Sequence, residues 1–179
     1  QLERSCPEQA ELPWRQQGTE DIAEWIRRSG GYISPSLVID TGPLGRGIFA
    51  TAPIAQGEAI VSVPVDLIIK EGDHPCSTVE KLRQELLLGE CSFYWPYLRS
   101  MQHVAVDIPN AWGSDELVLL DGLPSEGWRK HTGLYQGDCP QVTGGPPIDD
   151  AFAMRALMLY VSRSGPLGMQ PYFDLFNHG

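Results

Sequence analysis

Three short clusters in this sequence bring together residue types that can hold a ligand. Gly45-Arg46-Gly47 sets two glycines at the mouth of the apolar run Ile48-Phe49-Ala50. Without Cβ atoms, the backbone there can adopt positive φ and come close to a bound molecule. Asp174-Leu175-Phe176-Asn177-His178, preceded by Pro171, gathers a carboxylate, a carboxamide and an imidazole in one short stretch. Those donor and acceptor types can read a purine edge and anchor a loop. Ser162-Arg163 ends an apolar stretch, and a guanidinium so placed can reach a carboxylate on a ligand or on Asp174. Each cluster also has a plainer reading. The Gly-x-Gly can be a simple turn, since it lacks the strand-to-helix setting of a dinucleotide fingerprint. Asp174 can cap a polar turn, and Arg163 can reach water or the last helical carbonyls.

Other chemistries find less support. His74, His103, His131 and His178 lie far apart and no Gly-x-Ser-x-Gly elbow is present, so the spacing does not suggest a hydrolytic triad. Cys6, Cys76, Cys91 and Cys139 form no Cys-x-x-Cys pair and have no His at ligand spacing, so no metal site is expected. Their low density predicts reduced, partly buried thiols, while their even number leaves two disulfides in an oxidising compartment as the alternative.

The elements that must position these clusters can be read from local patterning. Residues 1–18 are polar, carry Pro7 and Pro13, and read as a loose lead-in. Thr19 is the expected N-cap of a short amphipathic helix, with Glu20 and Asp21 in its first turn. Its inner face is Ile22, Trp25 and Ile26, and Gly30-Gly31 stops it. From Leu37 to Ile69 the pattern turns to β, with runs at 37–39, 47–50 and 59–63 between Gly and Pro punctuation. Strands so short predict small twisted antiparallel sheets rather than βαβ units. Ser77-Thr-Val-Glu80 reads as a capping box opening a helix that Gly89 ends. Cys91 to Met101 is aromatic-rich, Ser114-Asp-Glu116 caps a brief helix, and 133–147 is a Gly/Pro loop. A final helix runs from about Asp150 to Arg163, apolar nearly all round and expected to be buried, until Gly165-Pro166 breaks it.

The whole chain of 179 residues carries 13 Lys plus Arg against 23 Asp plus Glu, a net charge of −10. Such a surface repels phosphate backbones and suits basic partners, so nucleic acid is not expected as a ligand. Apolar stretches are a few residues long, against the roughly 20 that a membrane-spanning helix needs. No targeting segment is visible.

Taken in order, the motifs resemble a SET domain. Ser29-Gly-Gly-Tyr-Ile-Ser-Pro35, Leu44-Gly-Arg-Gly-Ile-Phe-Ala-Thr51 and Ile54 to Pro64 look like its opening. Trp95-Pro-Tyr-Leu98, Pro109 to Leu117 and Leu120-Asp-Gly122 resemble the helical insert of the Rubisco large-subunit methyltransferase-like branch, whose SET domain is split. Arg155 to Ser164 resembles the last insert helix, and Pro171 to His178 the Asp-x-x-Asn-His motif. The likeness covers the chain from about Thr19 onward.

The resemblance implies an α+β fold of SET type: small twisted antiparallel sheets with a helical insert, the closing SET strands missing. It divides the chain into an N-terminal SET segment at 19–70, the insert at 71–165 and the start of the C-terminal SET segment at 166–179. It implies methyl transfer from S-adenosylmethionine to a protein side-chain nitrogen, most often lysine and in one branch histidine. Gly45, Gly47, Ile48 and Phe49 would line that cofactor, Arg163 would face its carboxylate, and Asp174, Leu175, Phe176, Asn177 and His178 would hold its adenine and the adjoining loop. No metal enters. The family's channel tyrosine lies in a segment after Asn-His, whereas all six tyrosines here precede Asn177. No catalytic residue is therefore assigned, and this chain by itself is expected to transfer methyl feebly or not at all. An intracellular setting, cytoplasm or plastid, is favoured over secretion. Two other readings stay open: a SET-like module that binds cofactor or protein without catalysis, and an unrelated secreted α+β domain with two disulfides.

Overall fold

A computed structural model describes Cys6 and residues 21–43, 45–102, 115, 118 and 150–176. The first helix, α1 (Ile22–Arg28), starts where Asp21 Oδ1 accepts from the Ala23 amide at 2.7 Å. Asp21 is thus the N-cap, and the expected cap Thr19 lies outside the described residues. The buried face of α1 is Ile22, Trp25 and Ile26, as the spacing predicts.

Short strands follow. β1 (Tyr32–Ile33) pairs with β4 (Val61–Ser62), and β2 (Leu37–Gly42) pairs with β3 (Gly45–Ala50), both antiparallel. In the second pair Asp40 stands opposite Gly47 and Val38 opposite Phe49. β5 (Ser164–Gly165) and β6 (Gly168–Met169) make a third antiparallel pair, and Met169 bridges Ile69. The segment after Arg163, expected as a plain break, is therefore a tight hairpin. Gly168 permits it: φ is +105°, and a Cβ there would sit 2.7 Å from the Ile69 carbonyl oxygen.

Two longer helices pack against each other, α2 (Pro75–Leu88) and α4 (Ala151–Arg163). α2 begins three residues before the Glu80 box suggests. His74 Nδ1 accepts from the Cys76 amide at 3.2 Å, and Pro75 occupies the first helical position. There a missing N–H costs nothing. Gly89 ends α2 with φ +55°. α4 is capped by Asp150, whose Oδ1 accepts from the Phe152 and Ala153 amides. It is not buried all round: Ala153, Ala156, Leu157 and Leu159 face inward while Phe152 is exposed. Between them lies α3 (Trp95–Ser100), with Tyr97 and Leu98 buried. The brief helix and the Gly/Pro loop expected between 114 and 147 fall almost wholly outside the described residues.

One apolar cluster joins these parts. Ile26, Ile33 and Ile69 from the first segment meet Leu82, Tyr97 and Leu157 from the helical one. Trp25 packs edge-on against Phe93 and Tyr94 at centroid distances of 5.8 and 6.5 Å. The architecture is α+β with small antiparallel sheets, and no described helix is long and apolar enough to cross a membrane.

The cysteines depart from expectation. Cys6 and Cys91 are bridged, with Cα atoms 5.4 Å apart, and Cys76 is disulfide-bonded as well. Cysteine density misled here because it ignores which residues the fold brings together: Cys6 lies beside Cys91 in the turn that follows α2.

Candidate functional site

A buried ion pair joins two of the three sequence clusters, and the third lies against them. Arg163, at the end of α4, points its Nη1 at Asp174, 3.0 Å from Oδ2 and 3.3 Å from the backbone oxygen. The side chain of Asp174 is 2% exposed and that of Arg163 16%. Asp174 sits in a short 3-10 turn, Phe173–Leu175, that lies against β3. The Gly-Arg-Gly strand, the end of α4 and the Asp174 turn are therefore neighbours.

A third partner comes from α3. The Tyr97 hydroxyl donates to the same Asp174 Oδ2 at 3.0 Å, and Tyr97 is fully buried. No spacing rule links residues so far apart in sequence. The one available signal was general: a tyrosine buried in an apolar helix needs a partner for its hydroxyl.

Backbone strain accompanies the turn. Tyr172, just before it, has φ 73° with its side chain buried, a conformation that costs a non-glycine residue about 1–3 kcal/mol. Its ring packs edge-on against Phe176, at 6.4 Å, which helps offset the strain. Leu175 is buried and Phe176 half-buried, whereas Phe173 is exposed. Asn177 and His178 lie outside the described residues.

On the other side, Gly45 has φ +91° and open space where a Cβ would be. Gly47 instead is buried in extended backbone opposite Asp40. The positive φ expected of the pair thus belongs to Gly45. Ile48 and Phe49 are half-buried. Arg46 reaches away, donating from Nη1 to the Ser100 carbonyl at 2.6 Å. It joins the hairpin to the end of α3, a favourable place for a cation.

Burial pushes the Asp174 carboxyl above its ordinary value, against the opposing pull of Arg163 and of the Tyr97 hydroxyl. Burial, with the negative Asp174 beside it, raises the Tyr97 phenol well above its usual range. It therefore stays a donor at neutral pH. Among the described residues, two buried polar atoms of the ion pair have no hydrogen-bond partner, Arg163 Nε and Asp174 Oδ1. Such atoms cost free energy unless something satisfies them.

A separate pocket of about 330 Å³ lies between α2, α3 and α4, walled by Leu86, Trp95, Leu98, Phe152 and Leu159 with Arg155 at its edge. Arg155 donates to the Met101 carbonyl at 2.7 Å. Among the described residues no cluster of three or more His, Cys, Asp or Glu is placed to hold a metal. Neither a family profile, nor a curated protein, nor a solved structure matches the chain.

Proposed function

We propose that this chain is a SET-type, S-adenosylmethionine-dependent protein methyltransferase chain of the split-SET branch, with the Arg163–Asp174 pair at the amino-acid end of the cofactor site. One observation carries the reading: a buried cationic donor, Arg163 Nε, and a buried anionic acceptor, Asp174 Oδ1, both lack partners on one ion pair. A zwitterion with a carboxylate and an ammonium answers both. The end of S-adenosylmethionine distal to its adenine is such a group, so the residues present fit it. β3 alongside supplies backbone near Gly45, where no side chain intervenes.

Bound S-adenosylmethionine supplies an activated methyl on a sulfonium. The chain's own residues bind and orient. Arg163 engages carboxylate, Asp174 engages ammonium, and Gly45, Gly47, Ile48 and Phe49 offer backbone and apolar contact. The resemblance puts Asp174 with Leu175, Phe176, Asn177 and His178 on the adenine side. The pairing with Arg163 favours the ammonium for Asp174, and the other four keep the adenine side. The acceptor is a protein side-chain nitrogen, in the family most often that of lysine and in one branch that of histidine. A lysine with a free pKa of about 10.4 must reach the methyl unprotonated, which a narrow dry channel promotes. Transfer needs in-line placement more than covalent help.

Calorimetry with S-adenosylmethionine tests the reading. Saturable binding, weakened at least about tenfold in Arg163→Lys and in Asn177→Ala, is the expected result. Lysine keeps the charge beside Asp174 but removes the guanidinium fork. A second reading, an unrelated secreted disulfide-bonded domain, is favoured by the Cys6–Cys91 bridge. It predicts no cofactor binding at all.

A further inference from the structure

We infer that Tyr97 is a positioning residue for the ligand end of this site: by sharing Asp174 Oδ2 with Arg163 Nη1, its hydroxyl leaves Asp174 Oδ1 and Arg163 Nε as the pair offered to the ligand. This deepens the reading of that end as a zwitterion site and rests on it. The last torsion of an aspartate is broad and nearly two-fold, so one donor fixes the carboxylate plane poorly. Here two donors come from two elements, α3 and α4, onto one oxygen at 3.0 Å each. The plane is set, and the second oxygen stays unpartnered.

Tyr97 is itself held firmly. It is fully buried, and α3 is tied at its C-terminal end by Arg46 to the Ser100 carbonyl and by Arg155 to the Met101 carbonyl. Among the described residues, α3 thereby reaches the ligand end through the Tyr97 hydroxyl. The charged and titratable groups acting on Asp174 among the described residues are Arg163 from α4 and Tyr97 from α3, while Arg46 of β3 is engaged at Ser100. The hydroxyl also pulls the Asp174 carboxyl down against burial, so its removal raises that carboxyl further.

The test is Tyr97→Phe in the full chain, which deletes the hydroxyl and keeps the ring. S-adenosylmethionine affinity is measured by calorimetry from acidic to neutral pH, and the Asp174 carboxyl is titrated by carbon NMR without ligand. Loss of a hydrogen bond to a charged group predicts binding weaker by about tenfold or more. The acid limb of the binding profile and the Asp174 midpoint both move to higher pH. In an Asp174→Asn background the same substitution has little further effect on affinity. Unchanged affinity together with an unmoved Asp174 midpoint overturns the proposal. If the wild type itself binds no S-adenosylmethionine, the methyltransferase reading fails, and the ligand-free midpoint alone judges Tyr97. If Tyr97→Phe does not fold, the wild-type spectrum decides. A slowly exchanging Tyr97 hydroxyl proton that follows the Asp174 titration supports the inference, and one in fast exchange and indifferent to Asp174 overturns it.

Discussion

Asp174 bears two opposed forces, and their balance has a sign that can be measured. Burial favours the neutral acid, while Arg163 and Tyr97 favour the carboxylate, and the net effect raises the folded-state pKa. A carboxyl raised on folding contributes stability below the ordinary carboxylate range and loses it as pH rises through the raised value. Asp174→Asn has no such dependence. Thermal melts at increasing pH should therefore show wild type losing stability relative to Asp174→Asn across the mildly acidic range, whereas a constant difference would mean that Asp174 is not desolvated as described. Much of this site was legible in residue types: Arg163 was expected to reach either a ligand or Asp174, and it reaches Asp174 at 3.0 Å. Tyr97 was not legible, because only the tertiary fold brings residue 97 to residue 174. Nor was the left-handed Tyr172, since no pattern predicts strain in a buried aromatic residue.

At the scale of elements, the α2–α4 contact sets where Arg163 stands, because α4 runs from its Asp150 cap to that residue in one unbroken helix. Leu82 on α2 is fully buried in the core. Leu82→Ala should destabilise the protein by about 2–5 kcal/mol, read as a lower urea midpoint. A loss below about 1 kcal/mol would indicate a site that collapses freely or is not buried. Long periodic elements were readable in advance. The inner face of α1, the span of α4 from about Asp150 to Arg163 and the Gly89 stop follow from spacing and capping chemistry. Boundaries followed local competition instead. His74 with Pro75 took the start of α2 from the Ser77 box, and β1 and the β5–β6 hairpin are two-residue strands too short to leave a periodic signal.

Across the whole molecule, one core holds the first segment and helices α2 to α4 together, so damage to either should disturb the proposed ligand site. The Cys6–Cys91 bridge spans 85 residues of sequence. Closing so long a loop restrains the unfolded chain, and its reduction should lower stability by about 2–4 kcal/mol in urea titrations with and without reductant. Equal midpoints would place the thiols apart in solution. The bridge also bears on where the protein works, since disulfides persist in oxidising compartments. The central claim nevertheless rests on the zwitterion site. Its most direct test is calorimetric titration of the intact, oxidised chain with S-adenosylmethionine, beside Arg163→Lys. Saturable binding in the wild type, weakened at least about tenfold in the variant, is the predicted result. Absence of binding in a folded wild type, or equal affinity in both proteins, would contradict it.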